Sequence, residues 1–99
     1  MYNPLHPFLT IRDSVIHGKG IFAVRDISIN FNLGITHIYD DKFSDNYIRT
    51  PLGGFINHSD NPNCIKMPYK KNYLSLYTIK NIKANQEITV EYTLYEITN

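Results

Sequence analysis

Strand formers crowd out helix formers in this sequence. Fourteen isoleucines, eight tyrosines and five phenylalanines stand against two alanines. β-branched and aromatic side chains fit a pleated, half-buried surface, whereas helix interiors favour Ala, Leu and long straight side chains. No segment shows a helical period, so the chain is predicted to be mostly β with little helix. A chain of 99 residues makes one small domain, which buries roughly 60–65% of the surface its unfolded form exposes. That leaves room for one core and one shallow site, not for separate substrate and cofactor domains.

Local pattern places the elements. Residues 1–8 carry Pro4 and Pro7 and read as an extended arm. Residues 9–16 begin with alternation and predict a first strand. His17-Gly18-Lys19-Gly20 breaks it, and residues 21–24 predict a second. Residues 35–39 predict a third, and 88–90 a last one. Residues 63–69 and 74–79 predict a hairpin that turns at 70–72. Residues 40–52 have room for one helical or 3₁₀ turn. Two segments, 25–30 and 80–85, share Ile at the third place and Asn at the sixth. Asn tolerates left-handed backbone, so both are predicted as tight turns that tuck Ile27 and Ile82 into the core.

Composition narrows the function. Ten basic against nine acidic side chains give a net charge of +1. A domain built on the phosphate backbone carries a clear basic excess. The basic, aromatic stretch of Lys66, Tyr69, Lys70, Lys71 and Tyr73 therefore reads as a solvated hairpin, and nucleic acid is not an expected partner. A single cysteine, Cys64, excludes an intramolecular disulfide and a multi-cysteine zinc site. His58 and Cys64 lie six apart with no second pair at ligand spacing, so no metal is expected. The start of the chain lacks the basic and apolar runs of a signal peptide, and no stretch is apolar enough to span a membrane. The expected location is a reducing interior, the cytoplasm or that of a host cell if the source is viral, rather than a secreted one.

Three clusters can carry chemistry. In His17-Gly18-Lys19-Gly20-Ile21-Phe22-Ala23 two glycines bracket a lysine, and glycine permits positive φ and close backbone approach. The spacing is not that of a phosphate-binding loop. Read alone, the segment is an ordinary turn. Phe55-Ile56-Asn57-His58-Ser59-Asp60-Asn61-Pro62-Asn63-Cys64 packs donors and acceptors on neighbouring positions, and an Asx-rich loop with a satisfied histidine explains it equally well. A Cys64–His58 nucleophile pair has nothing further to support it. Glu87-Ile88-Thr89-Val90-Glu91-Tyr92 ends a strand in a tyrosine, which by itself means half-buried packing.

Taken in order, the three clusters resemble the SET domain, a family of AdoMet-dependent protein-lysine methyltransferases. The family pattern runs Gly-x-Gly-Φ-Phe-Ala, then Arg-Phe-Ile-Asn-His-Ser-Cys-x-Pro-Asn-Cys, then Gly-Glu-Glu-Leu-Thr-x-Asp-Tyr. Here Gly54 replaces the Arg and Asp60 the first Cys, while Asn30 and Asn85 stand where turn glycines are usual. The segment from Ile38 to Phe55, which binds substrate in the family, is short. The expected organisation is an arm over 1–9 and a single, minimal SET domain over 10–99.

The resemblance implies a fold of short β-sheets with a pseudoknot-like crossing near the C-terminus. It implies an AdoMet site formed by Lys19, Gly20, Ile21, Phe22, Asn57, His58, Tyr92 and Tyr95. Asn57 would offer its amide to the methionine part, the His58 backbone would meet the adenine edge, and Tyr95 would cover the ring. Tyr92 matches the active-site tyrosine. The reaction it implies is an in-line displacement: a neutral lysine amine takes the methyl group, leaving S-adenosyl-L-homocysteine. Tyr47 and Tyr39 are candidate walls of the lysine channel. The protein partner is the substrate, and a homodimer is expected to close the open side of the channel. The competing reading is a weak or inactive SET-fold module that acts by protein binding.

Overall fold

The structure is a computed structural model that describes residues 5–40, 42 and 47–91, with Tyr47 described by its backbone alone. Its elements are β1 (Leu9–Asp13), β2 (Lys19–Ala23), β3 (Asn32–Tyr39), β4 (Tyr47–Arg49), α1 (Pro51–Phe55), β5 (Asn57–His58), β6 (Cys64–Tyr69), β7 (Tyr73–Thr78) and β8 (Glu87–Val90). The strands run in the order β1-β2-β8-β6-β7-β3-β4, with β5 also pairing β8. Every pairing is antiparallel except β5–β8 and β6–β8. The mostly β class predicted from composition is the one observed.

The strands that local pattern predicted are present, with shifted ends. The first stops at Asp13 rather than residue 16. Ser14 ends it: its backbone N–H donates to Gly18 O at 2.8 Å, closing a turn, and its Oγ accepts from the Ile16 amide at 2.9 Å. Val15 and Ile16, apolar in sequence, are left exposed in that turn. The hairpin of β6 and β7 pairs Cys64 with Thr78 through Tyr69 with Tyr73, and Lys70 and Asn72 take positive φ in its turn. Residues 5–8 form a turn rather than an extended arm, closed by Leu9 N–H to His6 O at 2.9 Å. Leu5 and Phe8 pack against the core.

The two Asn-ended segments form one unit. Asn30 and Asn85 adopt φ of 65° and 73°. Ile27 and Ile82 are buried and exchange backbone hydrogen bonds of 2.8 Å in both directions. Side chains cross over as well, since Asp26 accepts from the Ala84 amide and Asn81 from the Ile29 amide. A short-range sequence repeat thus becomes a long-range clasp between the two halves of the chain.

Pattern missed the parts that tertiary contact creates. Strands β4 and β5 have three and two residues, too short to show alternation. The helix lies at 51–55, past most of the 40–52 window expected for a turn. Thr50 caps it, its Oγ1 accepting from Gly53 N–H, and Pro51 opens it. Gly53 serves contact rather than propensity: a Cβ there would lie 2.3 Å from the Thr36 carbonyl oxygen of β3. The core gathers Leu9, Ile21, Leu33, Leu52, Leu76, Ile88 and Val90 from β1, β2, β3, α1, β7 and β8.

Candidate active site

The site grows from β8, which lies between β2 and the two parallel strands. Asn63 keeps β8 in place by imitating a strand. Its Nδ2 donates to Glu87 O at 2.8 Å and its Oδ1 accepts from Thr89 N–H at 2.9 Å. Pairing of Asn57 with Thr89 then sets β5 alongside β8, which brings Asn57 up to the turn between β1 and β2.

Asn57 is buried and holds that turn. Its Nδ2 donates to His17 O at 3.1 Å, to Lys19 O at 3.2 Å and to Glu87 Oε2 at 2.8 Å. All three partners are acceptors, which settles the orientation of the amide. Its Oδ1 accepts no hydrogen bond among the described residues. Glu87 ties in the other side of the turn, accepting from Ser14 Oγ at 2.7 and 2.9 Å. Gly20 lies inside this network: a Cβ would lie 2.3 Å from Glu87 Oε2 and 3.0 Å from Asn57 Nδ2. The two glycines therefore do different work. Gly18 supplies positive φ, at 44°, and a Cβ there would meet nothing within 4 Å among the described residues. Gly20 supplies space.

The expected site residues divide accordingly. Lys19, Gly20, Asn57 and His58 come together around the turn and β8. Ile21 and Phe22 have strands on both sides, β1 and β8, whereas Lys19 and Gly20 are flanked by β1 alone. The Ile21 side chain is wholly buried, so only its backbone can face a ligand. The Lys19 ammonium points to Asp13, at 2.5 Å, and holds that carboxyl below the usual carboxylate range. The His58 ring pairs with Asp60 at 2.9 Å, while its backbone lies beside Val90. Tyr39 and Tyr47 are opposite one another on β3 and β4, at the far edge of the strand order from β2. Tyr92 and Tyr95 lie outside the described residues.

Two residues were missed and one reading falls. Ser14 and Glu87 brace the site, and nothing in their spacing, 73 residues apart, announces it. The Cys64 thiol is completely buried, and burial pushes its pKa up to about 12. A protonated, inaccessible thiol is no nucleophile, which removes the Cys64–His58 pair. Among the described residues no three His, Cys, Asp or Glu side chains gather as a metal site.

Comparison with known proteins agrees with this geometry. The SET domain matches residues 31–93, a span that holds the Asn57 and Glu87 clusters. The histone-lysine N-methyltransferase of Schizosaccharomyces pombe, H3 lysine-37 specific, is 27% identical over 106 residues, covering 85% of this chain and 72% of that protein. A Plasmodium falciparum protein described as a candidate histone methyltransferase shares the fold, with a TM-score of 0.73 at 23% identity over 88% of this chain and 94% of its own. The chain belongs to the SET domain family. With membership comes the family's class of reaction, methyl transfer to a lysine of a protein.

Proposed function

We propose that the chain is an AdoMet-dependent protein-lysine N-methyltransferase in which the Asn57–Glu87–Gly20 cluster forms the cofactor end and Tyr92 stands at the reacting atoms. The observation that carries the reading is the state of the Asn57 amide. Its hydrogens are committed to His17 O, Lys19 O and Glu87, so its carbonyl oxygen is the atom left to a ligand. An acceptor held by a buried, fully braced side chain suits the ammonium of an amino-acid ligand. The Lys19–Gly20 backbone beside it is flanked by β1 alone. These residues fit AdoMet, which when bound supplies a methyl group on a sulfonium.

The chain's own residues have two tasks. Free lysine titrates near ~10.4, and its amine must be neutral to react. A narrow apolar channel disfavours the ammonium; Tyr39 and Tyr47 are the proposed walls. The amine must also approach in line, which is a matter of position, and Tyr92 is proposed to orient it. Tyr95 is proposed to cover the adenine. The domain is taken as residues 10–99. A homodimer that closes the channel by a self-complementary contact belongs to the same proposal; a monomer mass in light scattering would remove it.

The test is methyl transfer from labelled AdoMet into cell extract and into histone H3 peptides, which the similarity to histone methyltransferases suggests. Wild type is run beside Tyr92→Phe, with AdoMet affinity measured by calorimetry. Label carried by wild type and reduced at least about 100-fold in the variant, a loss of about 2.7 kcal/mol of transition-state stabilisation, is expected. Unchanged methylation by Tyr92→Phe overturns the role of the tyrosine. A folded protein without AdoMet affinity overturns the function.

A further inference from the structure

The β3–β4 side of the molecule carries a concave site apart from the Asn57 cluster. A cleft of about 620 Å³ opens between the turn at His6, strands β3, β4 and β7, and the end of β6. Arg49, His6, Asn32, Thr50, Tyr69 and Ser75 are in its wall, and none of its described lining residues is acidic.

Two of these polar groups are already used within the protein. Asn32 Oδ1 accepts from Gly34 N–H at 2.9 Å, and Thr50 Oγ1 donates to Ile35 O at 2.6 Å. Of the other four, Arg49, His6 and Ser75 are donors with capacity to spare. Arg49 is a permanent cation with a planar fork of N–H groups. His6 Nδ1 accepts from the Phe8 amide at 3.1 Å, so a neutral ring carries its proton on Nε2. Ser75 is completely buried and its Oγ has no hydrogen-bond partner among the described residues. Buried polar atoms are nearly always paired. An orphan hydroxyl in the wall of a cleft that an arginine also lines is a donor that a ligand atom can complete. The positive field there is felt elsewhere: burial and then the charge of Arg49 push the Lys66 ammonium down to about 8.

We propose that this cleft is a specificity subsite that takes an acidic side chain, Asp or Glu, of the protein substrate near the lysine to be methylated. A carboxylate matches the arginine fork through two parallel hydrogen bonds, and its remaining lone pairs suit a hydroxyl and an imidazole N–H. The location fits as well, since Arg49 is two residues from Tyr47 on the hairpin proposed to wall the lysine channel. The inference rests on the methyltransferase reading for the word substrate, but not for the binding itself.

The experiment separates the two. Fluorescent lysine peptides, identical except for Asp or Asn at each position flanking the lysine, are titrated into the full chain and followed by anisotropy. At one position Asp is expected to bind at least about tenfold more tightly than Asn. In Arg49→Gln that preference falls to within about twofold, while AdoMet affinity by calorimetry stays at the wild-type value and shows the fold intact. Equal binding of every Asp and Asn pair, no binding of any acidic peptide, or a preference untouched in Arg49→Gln overturns the subsite. Methylation of the same peptides reads the enzyme separately. Turnover without acid preference sinks the subsite alone, and acid-dependent binding without turnover sinks the enzymatic reading alone.

Discussion

Asn57 and Ser75 are both buried polar side chains, one at the β2–β8 end of the sheet and one at the β3–β7 end. Asn57 gives its amide hydrogens to two backbone carbonyls and a carboxylate. Ser75 gives its hydroxyl to nothing among the described residues. The first environment holds a turn rigid, because each group in it is fixed by another that is itself fixed. The second keeps a donor in reserve. The difference teaches which end is built to keep one geometry and which is built to be completed by something else.

The largest effect tests the rigid end. Asn57→Ala leaves the Glu87 carboxylate and two carbonyls short of a donor, and should lower stability in urea by about 2–4 kcal/mol. AdoMet affinity should fall with it in calorimetry. A variant of near wild-type stability would mean that the network is ornamental.

Two adjacent glycines give the next contrast. Gly53→Ala drives a Cβ against the Thr36 carbonyl, a backbone atom that cannot swing away, and should cost about 1–3 kcal/mol in thermal unfolding. A Cβ at Gly54 would meet nothing within 4 Å among the described residues, and Gly54 lies in a helix, so Gly54→Ala should gain about 0.5–1 kcal/mol. Equal shifts would show that α1 does not press on β3 as described.

Lys66 sharpens the electrostatic side of the comparison. Its pKa of about 8 lies below the ordinary 10.5, so the folded state loses the proton first. Below pH 8 both states are charged and the native state bears the full penalty. Between these values the unfolded chain holds more proton, and stability rises with pH. Lys66→Met should therefore be more stable than wild type by about 1–3 kcal/mol at pH 7, with the gain fading towards pH 10.5. A gain independent of pH would place the effect in packing.

The smallest effect tests the incomplete end. Removing a hydroxyl that has no partner removes its desolvation cost, so Ser75→Ala should leave stability unchanged or raise it by up to about 1 kcal/mol. A clear loss would show that the hydroxyl is paired in solution.

Much of this was legible in the residues because the relevant physics is local. Alternation marked the β6–β7 hairpin, and the left-handed tolerance of Asn marked the turns at Asn30 and Asn85. The polar stretch around Asn57 could be read from its residues alone as an Asx-rich loop, and only its resemblance to a family motif singled out Asn57. Local pattern failed where a position answers to a distant neighbour. Val15 and Ile16 look like strand residues, yet Ser14 turns the chain ahead of them. Leu-Gly-Gly looks unlike a helix, yet a glycine is what lets α1 meet Thr36.

By itself, then, the sequence determined a mostly β domain, its turns, its main hairpin and the family to which its motifs belong. The first three depend on the φ preferences and side-chain period of neighbouring residues, and the family on the resemblance of three motifs taken in order. Only the tertiary structure decided that β8 runs parallel to β5 and β6, that Gly20 is small because Glu87 and Asn57 occupy its space, and that Ser75 faces no partner among the described residues. Those facts depend on groups tens of residues apart, and no local period reports what a fold will place against them.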